Sequence, residues 1–536
     1  MKKDVSLRLK AYIQPFEREL AFREIAALAR SAPLDLELLR DGGHDYSVRT
    51  AVTASSLAAR LTYWEFAGDE LGTTITTQSL RESTVNIVRN GIALDALRAR
   101  LPFGDEVPLP NRRCLRYGTH GIHEYRGKFF PQLVRSLINI SGTSAGGVVA
   151  DPMSGSGTTV VEAVLAGCVG KGLDMNPLSV MLGNAKVSLL EADATSLVEG
   201  YHQLRDELME TESHTAKPLE YFSSLADEDQ EYLSSWFSED VIRGLDDISQ
   251  GILRLNNSHA VSLAKVALSN IIRSVSWQKN EDLRVRKEVR LDVEIDPKKE
   301  FLEEIGRSVR AVLAFLYQNG RLGEANFDIA EGDARLCGEV WGENTIDVII
   351  TSPPYATALP YLDTDRLSLC YLGLLARPEH RHRDKTMIGN REVSEKIRKD
   401  YWVKYELEKA RLPASVTNLI DNVHNLNSGT TVGFRRRNLP ALLSKYFFDM
   451  TDVIDGMRVA LKPGHFAFVV VGNNHTIAGG HRVEIQTALL LQDIAAGLGF
   501  EVFTPLSMEM LVSRDIFKSN AMASEEIIVF KKPAFV

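Results

Sequence analysis

Short apolar runs that stop on small or acidic residues recur through much of this chain. "VVAD" (148–151), "VGKGLD" (169–174), "FDIAEGD" (327–333), "DVIITS" (347–352) and "HFAFVVVG" (465–472) share this form. Runs of this kind, bounded by turn residues, predict strands buried on both faces of a parallel sheet. Helical patterns lie between them. "GGVVADPMSGSGTTVVEAVLAGCVGKGLDMNP" (146–177) reads as strand, Gly-rich loop, helix and strand, a βαβ unit. "MRVALKPGHFAFVVVGNN" (457–474) reads as helix, turn and strand, and "FEVFTPLSMEMLV" (500–512) with "EEIIVFKKP" (525–533) as a closing hairpin.

The remainder divides by pattern. Phe16, Leu20, Ile25 and Leu28 recur roughly on one helical face, so residues 1–110 are expected to be a helical N-terminal region. The Pro-rich "FGDEVPLPN" (103–111) marks its end. Strand and helix alternate over 111–187 and 326–536, which are read as one catalytic domain. Residues 188–325 are polar and helical, an insertion. Residues 377–437 are an irregular basic insertion, with fourteen Lys or Arg against eight Asp or Glu. The fold class expected is α/β, a doubly wound sheet with ligands at the C-terminal ends of its strands.

Composition changes this picture little. The formal net charge of -9 excludes a generally basic coat but not a local basic groove. The four cysteines, Cys114, Cys168, Cys337 and Cys370, have no CxxC spacing, and His380 and His382 stand too isolated to suggest a metal, so none is expected. No apolar run is long enough for a membrane span, and the first residues lack a secretory apolar core. A reducing cytoplasm is the expected location.

Three strand ends carry candidate chemistry. Gly155, Ser156 and Gly157 permit a tight turn and close backbone approach to a ligand. The Lys of a Walker loop and the last Gly of a dinucleotide loop are both missing, so the loop alone could be a plain turn. Asp174 ends the next strand, where an acid can meet ribose hydroxyls or simply cap a helix; Asp333 has the same two readings. "TSPPY" (351–355) ends a buried strand with two prolines, which cannot donate to a sheet ladder, and an aromatic ring.

Together these stretches resemble the S-adenosylmethionine-dependent DNA amino-methyltransferases. "TSPPY" looks like their catalytic (S/N/D)-P-P-(Y/F/W) motif, and "DPMSGSGTT" is similar to their cofactor motif DPFxGSGTT. "HEYRGKFFPQLVRSLI" (123–138) and "LKPGHFAFVVVGNN" (461–474) resemble the flanking segments. Met153 and Ser154 replace the usual Phe and Cys or Ala, and the cofactor motif precedes SPPY. The resemblance implies a Rossmann-like class I methyltransferase sheet and S-adenosylmethionine as cofactor. It implies catalytic roles for Ser352, Pro353, Pro354 and Tyr355. It places Asp151 and the loop Gly155, Ser156 and Gly157 around the methionine part, Asp174 at the ribose, Asp333 near the adenine, and Phe129 and Pro131 in the pocket wall, with Pro152, Thr158 and Asn176 also at the cofactor.

Ser-Pro-Pro-Tyr is the form commoner among enzymes that make N4-methylcytosine; Asp or Asn in first place is commoner for N6-methyladenine. C5-cytosine chemistry needs a nucleophilic cysteine, normally after proline, and no cysteine here follows one. RNA guanine-N2 and protein glutamine-amide methyltransferases share the fold with other first residues, and an idle nucleic-acid-binding module would carry degraded motifs. The expected partner is therefore double-stranded DNA, in host DNA marking beside restriction or another defence. Any cleavage partner would be a separate chain, and the oligomeric state is unassigned. Arg435, Arg436, Arg437, Lys399 and Trp402 are the candidate DNA contacts, by charge and stacking; a solvated helix face is the competing reading. "SWQKNEDLRVRKEVR" (276–290) is a weaker candidate for substrate contact.

Overall fold

In the computed structural model the described residues are 2–29, 36–38, 43–125, 129–210, 218–279, 286–289, 294–356, 361–390, 393–428, 433–509 and 524–534. The N-terminal region is not the helical unit expected. The helix Pro15–Ala29 forms and buries Leu20 and Ile25. Around it, β1 (Lys3–Leu9), β2 (Leu36–Leu38), β3 (Asp45–Thr50), β4 (Trp64–Asp69) and β5 (Gly72–Ile75) make an antiparallel sheet of order β2-β3-β1-β4-β5. The missed signal is alternation: Val5, Leu7 and Leu9 point inward while Lys3, Ser6 and Arg8 do not, a period of two diluted by charged residues.

The second sheet has seven strands. β6 (Val148–Asp151), β7 (Val169–Asp174), β8 (Phe327–Glu331), β9 (Ile346–Thr351) and β10 (Leu461–Gly472) are parallel. After a small hairpin, β11 (Asn474–Ala478) and β12 (His481–Ile485), the chain closes the sheet with β13 (Glu501–Glu509) and β14 (Ser524–Lys531), antiparallel as the hairpin pattern predicts. The order is β13-β14-β10-β9-β6-β7-β8. The chain runs outward from β6 to β8, then returns to β9 on the other side. The order therefore reverses between β6 and β9, and a doubly wound sheet binds ligands at the strand ends beside that switch.

Both faces are covered, which is why these strands read as continuous apolar runs. Val348 and Ile350 pack with Leu133, Val134, Leu137 and Ile138 of the helix Pro131–Ile140 and with the N-terminal unit. Ile349 faces the other way, into a core with Val469, Met450 and Val453, the last two from the helix Phe434–Ala460. Helices occupy Ala194–Glu210, Asp227–Ser234, Glu239–Leu253, Ser258–Ile271 and Pro297–Asn319, and pack around Leu245, Ile248, Leu263 and Val312. The basic segment 377–437, expected to be irregular, is instead helical at Arg377–Thr386, Glu395–Glu408 and Ala414–Leu426. Among the described residues no helix is long and apolar enough to cross a membrane.

Candidate active site

The loop after β6 is built around Asp151. This side chain is buried, and it accepts from the Met153 N–H at 3.0 Å and the Thr159 hydroxyl at 2.8 Å. It therefore ties strand, loop and the helix Thr158–Leu165 together. Gly157 caps that helix with φ +79°, and a Cβ there would stand 2.8 Å from Gly183 Cα, so only glycine fits. Ser156 and Thr158 are buried beneath the loop, and the buried Lys186 ammonium donates to the Ser156 carbonyl at 3.0 Å.

Asp174, at the end of β7, faces this loop. Its carboxylate accepts the Gly155 and Asn176 backbone N–H groups, each at 2.8 Å. Burial pushes both Asp151 and Asp174 up to about 6, and these hydrogen bonds partly offset it. Asn176 is buried; its carbonyl oxygen caps Leu178 and its amide donates to Asp365 at 2.8 Å.

β9 ends at Thr351, and Ser352 to Tyr355 follow next to the same loop. Ser352 is half-buried, and among the described residues nothing takes up its hydroxyl. The Tyr355 hydroxyl donates to Glu525 on β14. Asn474, at the start of β11, donates to the Ala356 carbonyl at 2.7 Å and fixes the loop beyond the ring. Sequence reading assigned no role to Glu525 or Asn474. Asn474 lies in the quoted "VVVGNN", whereas Glu525 depends on β14 lying two strands away from β9.

These pieces surround one cleft. Tyr125, Pro152, Met153, Gly155, Asp174 and Met175 line it together with Ser352, Pro353, Pro354 and Tyr355, around about 810 Å³ of space open to solvent. Gly332, Ala334, Met387 and Ile388 complete it. A carboxylate for ribose, free backbone approach at Gly155 and thioether walls suit S-adenosylmethionine.

Of the residues expected at the cofactor, Pro152, Gly155, Asp174 and Asn176 line the cleft; Asp151, Ser156, Gly157 and Thr158 build the loop without lining it, and Asp333, Phe129 and Pro131 lie elsewhere. Asp333 follows β8 as expected, but its carboxylate is taken by Arg335, at 2.5 Å to one guanidinium nitrogen; its neighbours Gly332 and Ala334 line the cleft instead. Phe129 packs into the core between the sheet and the N-terminal unit, and Pro131 is a buried first residue of its helix. Tyr125, from the same segment, reaches the cleft, with its hydroxyl 2.8 Å from that of Ser179. Residues 126–128 of that segment lie outside the described residues.

The candidate DNA contacts separate in the structure. Trp402 stacks on His424 with centroids 4.0 Å apart, so its ring is committed to packing. Lys399 is exposed and 3.8 Å from Glu395 one turn away, the pattern of a solvated helix face. Arg435, Arg436 and Arg437 are exposed in the first turn of the helix Phe434–Ala460, beside the exposed Phe434. In the weaker candidate stretch, Lys287 lies over Trp277 at 5.2 Å, and residues 280–285 and 290 lie outside the described residues.

Comparison with known proteins finds methyltransferases among the chain's relatives. A family model described as an RMKL-like methyltransferase domain matches residues 123–174, the segment that enters the cleft. The chain is 26% identical to the Type II methyltransferase M.MvaI of Kocuria varians, over 70% of this chain and 80% of that protein. It is 22% identical to the Type II methyltransferase M.BsoBI of Geobacillus stearothermophilus, over 80% of this chain and 88% of that one. Among solved structures, TrmN from Thermus thermophilus aligns over 99% of both chains at 10% identity with a TM-score of 0.32, so the fold rests on the strand order alone. The sequence matches support an S-adenosylmethionine-dependent methyltransferase.

Proposed function

We propose that this chain is a DNA methyltransferase that methylates the exocyclic N4 of a cytosine flipped out of the duplex. The observation that carries this reading is the Ser352 hydroxyl, half-buried and without a partner among the described residues, in the lining of the cleft that Gly155 and Asp174 share. An exocyclic amine is a poor nucleophile because its lone pair is delocalised into the ring. The Ser352 hydroxyl and the Pro353 carbonyl accept its two hydrogens and localise that pair. Pro353 and Pro354 fix the direction of the carbonyl. Tyr355 offers its face to the flipped base.

Bound S-adenosylmethionine supplies an electrophilic methyl group. The amine nitrogen would take that methyl as the sulfonium C–S bond breaks and S-adenosylhomocysteine leaves, and its surplus N–H proton would pass to solvent, with no covalent enzyme intermediate. The residues of the cleft act mainly by positioning. Asp174 holds the ribose hydroxyls, and the loop at Gly155–Gly157 approaches the methionine part.

DNA as the substrate is supported by the motif resemblance and by the Type II relatives. The arginine run adds a physical argument. Three exposed cations in the first turn of a helix make a compact positive patch that suits a phosphate chain. Within this reading residues 111–187 and 326–536 form the catalytic unit, 188–325 a helical insertion, and 377–437 the target-recognition candidate, and any nuclease acts as a separate chain. The test is methyl transfer from labelled S-adenosylmethionine to duplex DNA, single-stranded DNA and RNA. Label in duplex DNA that disappears in Ser352→Ala supports the reading; label in RNA alone overturns it.

A further inference from the structure

The segment that begins in the helix Arg377–Thr386 and runs to Gly389 belongs to the basic insertion, yet it forms part of the cleft wall. Met387 and Ile388 line the cleft beside Gly332 and Ala334. The strap is tied down at both ends and in the middle. At its start, the Arg383 guanidinium donates to the Met175 carbonyl at 2.7 Å, just beyond β7, and pairs with Glu331 at the end of β8. In the middle, Arg335 donates to the Thr386 carbonyl at 3.0 Å, and Lys445 to the Met387 carbonyl at 3.1 Å. Arg335 is itself held by Asp333 and, at 2.8 Å, by Asp449; Lys445 pairs with the same Asp449. At the far end, Gly389 has φ +80°, and a Cβ there would stand 3.0 Å from Pro354 Cβ.

We propose that this strap is part of the cofactor seat, that Met387 and Ile388 contact the purine end of S-adenosylmethionine, and that Arg335 is the residue that positions them. The proposal rests on the cofactor reading above and deepens it. Apolar side chains beside the β8 end suit a flat ring, not the charged amino-acid end, which has the Gly155 loop. Asp333 then acts through Arg335 and not on the adenine directly. Gly389, against Pro354, places the same strap on the catalytic loop, so cofactor and target sites share one wall.

The test is calorimetry with S-adenosylhomocysteine on the full chain, alongside thermal melting of the ligand-free protein. Met387→Ala is expected to raise Kd about tenfold with melting little changed, the loss expected for removing a few methylene-sized groups from the ligand contact; Ile388→Ala, whose side chain is also part of the core, is expected to raise Kd by the same factor and to lower the melting temperature while the protein stays folded. Arg335→Met is expected to raise Kd similarly. 5′-Methylthioadenosine, which lacks the amino-acid end, is expected to lose affinity by the same factor in all three. Wild-type binding matched by Met387→Ala and Ile388→Ala overturns the strap while leaving the cofactor reading in place. Absence of binding to the wild type overturns both.

Discussion

The Gly155 backbone N–H donates to the Asp174 carboxylate at 2.8 Å, so the loop after β6 and the end of β7 are locked to each other. Asp174 is therefore both a builder of the cofactor loop and its candidate ribose acceptor. A carboxylate that accepts ribose hydroxyls must be ionised, and burial holds Asp174 up to about 6. Affinity for S-adenosylhomocysteine should be constant above that pH and fall roughly tenfold for each unit below it. Calorimetry from pH 5 to 8 measures this. Asp174→Asn should bind weakly at every pH and flatten the profile; a flat profile in the wild type removes Asp174 from the ribose.

Ser352→Ala should lower turnover about 100-fold or more, because one of two acceptors on the reacting amine is lost. S-adenosylhomocysteine affinity should stay within about twofold, since among the described residues Ser352 makes no side-chain bond that shapes the loop. Single-turnover kinetics and calorimetry separate the two. Loss of cofactor binding instead would move Ser352 from the target side of the cleft to the cofactor side.

Tyr355 and Glu525 should behave as a pair. Tyr355→Phe removes only the hydroxyl held by Glu525 and should cost about three- to tenfold in kcat/KM, the worth of one hydrogen bond. Glu525→Ala should cost the same, and the double variant no more than either alone. Glu525→Gln keeps an acceptor and should be near wild type. Tyr355→Ala also removes the stacking face and should cost about ten- to 100-fold. Additive single effects would show that the contact does not orient the ring.

Replacing Arg435, Arg436 and Arg437 together by Ala should weaken duplex binding. It should also lower the slope of log affinity against log salt by about one for each arginine that meets a phosphate. Cofactor affinity should not change. An unaltered slope would return the run to ordinary solvated surface.

The sheet was legible because its strands are buried on both faces: "DVIITS" admits few readings other than a core strand that ends at Ser352. The loop was legible because Gly155 and Gly157 stand where side chains cannot. The N-terminal sheet was obscured because β1 and β3 alternate apolar with charged positions and flank a true amphipathic helix. Asp333 was placed at the right strand end, but its partner Arg335 serves a segment more than fifty residues away. Met387 and Ile388 carried no local signal, since only the return of the insertion onto the sheet brings them to the cleft. Trp402 looked available for stacking because sequence does not show that His424, on the next helix, already covers it.

The most direct test of the central claim is the identity of the methylated base. Purified protein is incubated with methyl-labelled S-adenosylmethionine and, in parallel, unmethylated duplex DNA or RNA, and the nucleic acid is digested to nucleosides and resolved by mass spectrometry. Labelled N4-methylcytosine is the predicted product. N6-methyladenine would contradict the cytosine assignment while keeping the Ser352–Tyr355 chemistry, and unlabelled DNA alongside labelled RNA would contradict the DNA methyltransferase itself.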